Sequence, residues 1–363
     1  MTAPQPRPGI MDIAPYVGGE AKLAGVAEVA RLASNESALG PSPRAVATYQ
    51  KVASELHRYP DGGAVELRAA LGRRYGLDPA RIVCSAGSDE MIALITRAYA
   101  GPGDEVLYSA HGFLMYPISA RSVGATPVAA PEVDLTADVE ALLAAVTPRT
   151  RILFLANPNN PTGSYVPADT VRRLRERLRP DVLLVIDAAY AEYVARNDYS
   201  AGAELVDAGE NTLMMRTFSK IFGLAALRLG WAYCPPVIAD VINRVRGPFN
   251  VGAPAQAAGV AALDDQAHID AARAHNDVWL PWLAQQLRSL GLGVAPSVGN
   301  FILVRFPDEP ARNADAAEAR LKSQGILVRK MGGYGLPHSL RITVGRESEC
   351  RRVVDALAGL MKT

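Results

Sequence analysis

Residues Asn211 to Tyr233 read NTLMMRTFSKIFGLAALRLGWAY, and the rest of the chain is read outward from them. The stretch opens as a short apolar strand, Thr212 to Arg216. It then turns on two hydroxyls, Thr217 and Ser219, presents Lys220, and places Arg228 eight residues further on. Lys220 stands among Phe218, Ile221, Phe222 and Leu224. An ammonium in apolar surroundings loses solvation, so its pKa falls and the amine becomes a nucleophile. Taken alone, the same residue also reads as a lysine that snorkels at a strand end. Its neighbours shift the balance, because two hydroxyls and a guanidinium can hold a phosphate while the amine works beside it.

The flanking segments alternate strand and helix. Arg81 to Cys84, Glu105 to Ser109, Thr126 to Ala129, Arg151 to Ala156 and Val182 to Ile186 read as strands, with Leu229 to Cys234 closing the series. Glu66 to Tyr75, Met91 to Tyr99, Met115 to Val123, Ala137 to Val146 and Ala168 to Leu178 read as helices between them. Strands without polar alternation, such as VLLVI, are buried on both faces, which predicts a largely parallel sheet sandwiched by helices. Past Ala255 the texture changes to a long helical stretch, roughly Asp264 to Leu290, followed by three strand signals and a last helix from Arg346. The expected fold is α/β in two parts. A large domain spans 41–254, and a smaller α+β domain joins 255–363 to 31–40. A proline- and glycine-rich arm over 1–30, with a short helix or strand in it, precedes both.

Composition narrows the function classes. At 363 residues the chain has room for two domains. A net charge of +1 leaves no basic footprint for nucleic acid or an anionic membrane. Cys84, Cys234 and Cys350 form no CxxC and no metal spacing, which fits a reduced, cytoplasmic protein. The opening residues MTAPQPRPG lack the apolar core of a signal peptide, and no apolar run reaches spanning length. His268 and His275 stand seven apart with no carboxylate at ligand spacing, so no metal site is expected.

Four strand ends carry the chemistry, and in a parallel sheet ligands bind beyond such ends. The strand ending at Ala156 runs into NPNNPTG, Asn157 to Gly163. The strand ending at Ile186 runs into Asp187, with Tyr190 three residues on. Asp187 is costly after five apolar residues unless paired, although it also reads as a cap for the next turn. The strand ending at Cys84 runs into SAGSDE. There Ser88, Asp89 and Glu90 either cap a helix or leave backbone N–H groups free to bind an anion. For a phosphate to sit there, both carboxylates must point away. Together with Ser219 and Lys220, the set fits a phosphate-bearing pyridine cofactor. The aspartate keeps the ring nitrogen protonated, a tyrosine and an asparagine bond the ring oxygen, and Phe113 covers the ring face.

NPNNPTG, the Asp187-x-x-Tyr190 pair and Ser219-Lys220 with Arg228 resemble the fold-type I pyridoxal-phosphate aminotransferases. Within them PRPGIMDIAPYVGGE, SNES, RYPDGG, GSDE and VRKMGGYGLPHSLRITVG resemble the histidinol-phosphate aminotransferases, over nearly the whole chain. The resemblance implies that Lys220 is the Schiff-base lysine and shuttles the proton. It implies Asp187 as partner of the pyridine nitrogen, and Tyr190 and Asn160 as contacts of the ring oxygen. Ser88 and Asp89 (through their backbones), Thr217, Ser219 and Arg228 become the phosphate cradle, and Phe113 the stacking aromatic. Tyr59 would reach a neighbouring subunit's cofactor phosphate, which makes the protein a homodimer with shared sites. Arg341 would grip a substrate carboxylate, with Arg329, Tyr16 and Asn35 also at the substrate. Two departures stand out: His111-Gly112 precede Phe113 in place of proline-threonine, and Ala225-Ala226 replace alanine-glycine.

The implied reaction moves the amino group of L-histidinol phosphate to 2-oxoglutarate through pyridoxal 5′-phosphate, in histidine biosynthesis. Related alternatives are transamination of tyrosine or phenylalanine, and decarboxylation of a phosphorylated amino acid. A non-enzymatic binder on the same fold is the remaining class; Lys220, Asp187 and Arg341 together favour an enzyme.

Overall fold

The apolar run Leu183–Asp187 is buried at all five positions and occupies the middle of a seven-stranded sheet. The structure, a computed structural model, describes residues 4–20, 22–23 and 28–362. The sheet contains β1 (Ile82–Ser85), β2 (Glu105–Ser109), β3 (Thr126–Ala130), β4 (Thr150–Ala156), β5 (Leu183–Asp187), β6 (Thr212–Thr217) and β7 (Gly230–Tyr233). Their spatial order is β1-β7-β6-β5-β4-β2-β3. The pairs β3–β2, β2–β4, β4–β5 and β5–β6 are parallel, while β7 runs antiparallel between β6 and β1. The reversal has a local cause. The connection from Phe218 to Leu229 contains a 3-10 turn at Ala225–Leu227 but no α-helix, so it cannot make the crossover that a parallel neighbour needs. Lys220 lies in this irregular connection.

Helices cover both faces of the sheet, as unbroken apolar strands require. Leu67, Leu71, Phe218, Phe222, Trp231 and Ala258 pack on one side; Met91, Ile95, Tyr116, Phe154 and Ile242 pack on the other. A second core holds Leu283, Leu287, Ile302, Leu321, Leu340, Ile342, Val353 and Leu357. Its antiparallel sheet consists of β8 (Gly293–Val294), β9 (Phe301–Arg305), β10 (Arg329–Lys330) and β11 (Ser339–Thr343), in the order β8-β9-β11-β10. Ahead of the large sheet in the chain, Ala30–Arg31 pairs parallel with Ile326–Leu327. Helix Gln266–Ser289 belongs to both cores: Ile269 and Ala272 pack in the first, Leu283 and Leu287 in the second.

One sequence expectation changes. The helix expected over Ala137 to Val146 is only Val139–Ala144, and Thr136–Ala137 instead pairs antiparallel with Glu132–Val133. Asp134 and Leu135 both take positive φ and turn the chain back, so Asp138 is the residue that caps the helix, accepting from the Glu140 N–H. Helix Ala253–Leu263 carries Pro254 in its first turn. Proline in the first turn removes an N–H that has no helical partner there. In the arm, residues 4–20 and 22–23 hold turns and extended chain, and a two-residue strand, Ala30–Arg31, stands at its end. Residues 1–3, 21 and 24–27, on which part of that expectation falls, lie outside the described residues.

Candidate active site

Beyond the carboxyl ends of β4, β5 and β6 lies a cavity of about 260 Å³. Fourteen of the fifteen residues expected at the site line it: Tyr16, Asn35, Ser88, Asp89, Phe113, Asn160, Asp187, Tyr190, Thr217, Ser219, Lys220, Arg228, Arg329 and Arg341. Tyr59 does not. It is 82% exposed and stacks on Phe249, itself partly exposed, with ring centroids 4.7 Å apart.

Lys220 enters from the irregular connection after β6. Its Nζ donates to the Ser34 carbonyl at 3.1 Å and stands 5.5 Å from the centre of the Tyr190 ring. Burial lowers its pKa to about 8; Arg341 adds to that effect, while Asp89 and Glu36 oppose it. The amine is therefore far closer to neutrality at physiological pH than an ordinary lysine.

Asp187 ends β5 and is 6% exposed. Burial raises its pKa to about 6, against the lowering effect of two donors. Those donors are Tyr116 Oη, at 2.8 Å from Oδ2, and the Ala189 N–H, at 3.3 Å from Oδ1. A cation set against this carboxylate would restore its charge, and a protonated ring nitrogen is such a cation. Nearby, Tyr190 Oη accepts from Asn35 Nδ2 at 2.9 Å. Asn35 holds a left-handed backbone (φ 56°), and Thr343 Oγ1 bonds both its N–H and its Oδ1.

The other end is built for an anion. Helix Ser88–Tyr99 begins after Gly87 with no side-chain cap, so its first-turn N–H groups keep their donor capacity. The capping alternative for Ser88, Asp89 and Glu90 is thus not what the structure adopts. Glu90 turns back to the Ala86 N–H at 2.6 Å and to Asn250 Nδ2 at 2.8 Å, away from the cavity. Asp89 departs from expectation, since its Oδ2 accepts from Arg228 Nη2 at 3.1 Å. Arg228 also reaches Ser219 Oγ at 3.3 Å, and Thr217 Oγ1 donates to Ser219 Oγ at 3.0 Å. Gly87 (φ +85°) permits the approach, for a Cβ there would stand 2.4 Å from Arg228 Nη2. Two hydroxyls, a guanidinium and uncapped helix N–H groups suit a phosphate ester, and Asp187 and Lys220 at the far end suit a pyridine aldehyde.

At the mouth, Arg341 is buried, bonds Asn160 Oδ1, and donates to the Ala33 carbonyl at 2.7 Å. Its Nε is buried with no hydrogen-bond partner among the described residues. Asn160 was expected at a ring oxygen and Arg341 at a carboxylate; here each satisfies the other. Arg329 donates to the Val17 carbonyl at 2.5 Å and lies 5.7 Å from the Tyr16 ring, which meets Phe113 edge-on at 6.4 Å. The arm thus packs on its own chain. Sequence reasoning missed Tyr116, Ser34 and Glu36. Tyr116 follows Phe113 by three residues, one helical turn, and that spacing is its only signal in the sequence.

A family model described as aminotransferase class I and II matches residues 27–357. The histidinol-phosphate aminotransferase of Paramagnetospirillum magneticum is 65% identical, covering 98% of either chain. That of Rhodospirillum centenum is 60% identical over the full length of both. A crystal structure of histidinol-phosphate aminotransferase from Sinorhizobium meliloti, in complex with pyridoxal-5′-phosphate, superposes with a TM-score of 0.91 at 30% identity, over 99% of this chain and 98% of that one. The chain belongs to the class I and II aminotransferases, in the branch formed by the histidinol-phosphate aminotransferases.

Proposed function

We propose that this chain transfers the amino group of L-histidinol phosphate to 2-oxoglutarate with pyridoxal 5′-phosphate as cofactor, a step of histidine biosynthesis. The observation that carries the reading is Lys220, a buried amine with pKa about 8, facing buried Asp187 across one cavity with arginines at its mouth. When bound, the cofactor supplies an electron sink for charge left on the substrate carbon. The chain's residues do the rest. Lys220 would take the proton from that carbon and return it to the cofactor's aldehyde carbon, on the other side of the nitrogen, as general base and then acid. Asp187, aligned by Tyr116 and Ala189, would hold a proton on the ring nitrogen. Tyr190 and Asn160 would bond the ring oxygen, and Phe113 would cover the ring. Thr217, Ser219, Arg228 and the Ser88–Asp89 backbone would hold the phosphate. Arg341 and Arg329, planar multi-N–H donors, suit both the donor's phosphate and the acceptor's carboxylates, with Tyr16 and Asn35 beside them.

The exposed Tyr59–Phe249 pair supports a homodimer in which Tyr59 completes the neighbouring site. Among the described residues no helix is long and apolar enough to cross a membrane, and all three cysteines are free and buried, which supports a reducing, cytoplasmic setting. The two cores support a large domain and a smaller one that includes the 31–40 segment, with the boundary inside helix Gln266–Ser289. A second donor class, tyrosine or phenylalanine, has one observation behind it: Tyr16 and Phe113 give the cavity an aromatic wall. Steady-state kcat/KM with 2-oxoglutarate separates the two. Histidinol phosphate exceeding both aromatic acids at least a hundredfold supports the first reading, and the reverse order moves the enzyme to the second.

A further inference from the structure

Beside the cavity lies a short hairpin that the reaction above does not use. Glu132–Val133 and Thr136–Ala137 pair antiparallel, with Asp134 and Leu135 at the tip. Both tip residues hold positive φ, 48° and 60°, a conformation that a bulky residue such as leucine rarely adopts. At the base the Glu132 side chain is buried, and both of its oxygens meet one residue. Oε1 accepts from the His111 N–H at 3.0 Å, and Oε2 lies 2.7 Å from His111 Nδ1. Backbone and ring of His111 are thereby fixed two positions before Phe113. The His111 carbonyl in turn accepts from Asn159 Nδ2 at 3.3 Å, and that amide also donates to Thr162 Oγ1 at 2.9 Å. Asn159 precedes Asn160 of the cavity. At the tip, the Leu135 carbonyl accepts from Ser164 Oγ at 2.7 Å. The Leu135 side chain packs on a cluster of Leu303, Met331 and Tyr334, which come from β9 and the β10–β11 connection.

We propose that Glu132 is a positioning residue, which aims Phe113 through His111, and that Leu135 anchors the hairpin that carries Glu132. A buried carboxylate is costly unless its oxygens are satisfied, and both of these are spent on the residue that orients the Phe113 segment. Glycine would hold the tip turn without strain. Leucine there adds a side chain that reaches the β9 cluster, and this contact offsets the strained backbone. The hairpin thus links the second sheet to the aromatic wall. The inference rests on the function proposed above for one point only, the place of Phe113 over the cofactor ring.

The test is visible circular dichroism of the bound cofactor, which reports how the ring sits against its neighbours, together with cofactor affinity by titration. Glu132→Ala should lower the visible signal by half or more and weaken cofactor binding about tenfold. Glu132→Gln, which keeps one acceptor, should fall between it and wild type. His111→Ala should match Glu132→Ala, and the double variant should be no worse than either, since both act through one link. Leu135→Gly should also lower the signal although it relaxes the turn. If Glu132→Ala lowers only the thermal midpoint and leaves ellipticity and affinity at wild-type values, Glu132 is merely structural and the proposal is overturned. If Leu135→Gly leaves the ellipticity unchanged, the anchor is overturned. Should Glu132→Ala fail to fold, Glu132→Gln and His111→Gln carry the same comparison. In cofactor-free protein, the ¹⁵N shift of His111 Nδ1 should report a hydrogen-bonded N–H that Glu132→Gln perturbs; no change would break the link. A wild-type protein that gains no cofactor signal would count against the function, and the His111 shift would still decide the link.

Discussion

Two titratable residues set the character of the cavity, and burial moves them in opposite directions. Lys220, with a folded pKa of about 8 against an ordinary 10.5, binds fewer protons when folded than unfolded between those values. Its burden on stability is therefore greatest below pH 8 and is relieved as pH rises toward 10.5. Asp187, at about 6 against 3.8, binds more protons when folded. Its burden is absent below 3.8, grows through the window from 3.8 to 6, and is complete above it. In cofactor-free protein, Asp187→Asn should thus raise unfolding stability above pH 6 by roughly 2–3 kcal/mol, with no gain near pH 3.5. Denaturant melts at the two pH values check this, and equal effects at both would refute the assigned burden. With cofactor present, the same variant should lose at least a hundredfold in kcat. Asp187 and Lys220 were legible in sequence because each is a costly residue type in apolar surroundings, and Arg228 because it stands eight residues beyond Lys220 with two hydroxyls between the strand and the lysine. Tyr116 was not, since a buried tyrosine in an apolar helix has no pattern that separates core packing from a bond to Asp187.

At the scale of elements, the anion site exists because a helix N-terminus and an arginine approach each other across a glycine. Gly87→Ala would place a Cβ 2.4 Å from Arg228 Nη2 and should weaken cofactor affinity tenfold or more. Gly76→Ala is the control, for its φ of +67° carries the same backbone strain with no atom within 4 Å. It should cost about 1 kcal/mol of stability or more and leave affinity alone. Titration of each apoprotein with cofactor checks the pair; equal affinities would show that strain, and not the lost approach to Arg228, governs binding. The strand and helix series was legible from unbroken apolar runs, and boundaries fell within one or two residues for most elements. The hairpin at Glu132–Val133 was not, because its turn uses Asp134 and Leu135 at positive φ where glycine or asparagine would have signalled it. The antiparallel direction of β7 was also hidden, since it depends on the absence of a crossover helix rather than on the strand's own residues.

For the whole molecule, the two cores meet along helix Gln266–Ser289, and the cavity takes Asn35, Arg329 and Arg341 from the second sheet's side and Lys220 and Asp187 from the first. The sharing of one helix between two cores was not legible, because the contacts of helix Gln266–Ser289 pass from one core to the other within one continuous element. Exposed Tyr59 carries the remaining claim. Tyr59→Phe should weaken cofactor binding several-fold while sedimentation still reports twice the 38.6 kDa chain mass. A protein that sediments as a monomer and binds cofactor at full strength would remove Tyr59 from the site. Arg329→Met should reduce kcat/KM for histidinol phosphate far more than for tyrosine, and equal losses would count against a phosphate role.

A single turnover separates this reaction from the alternatives. Enzyme loaded with pyridoxal phosphate is mixed with L-histidinol phosphate and no 2-oxo acid, and the released carbonyl product is quantified. Wild-type enzyme should release one equivalent per subunit within the first turnover and none further until 2-oxoglutarate is added, and Lys220→Ala should release none. Product from Lys220→Ala at the wild-type rate would remove Lys220 from its role, and turnover of tyrosine with none of histidinol phosphate would overturn the proposed substrate.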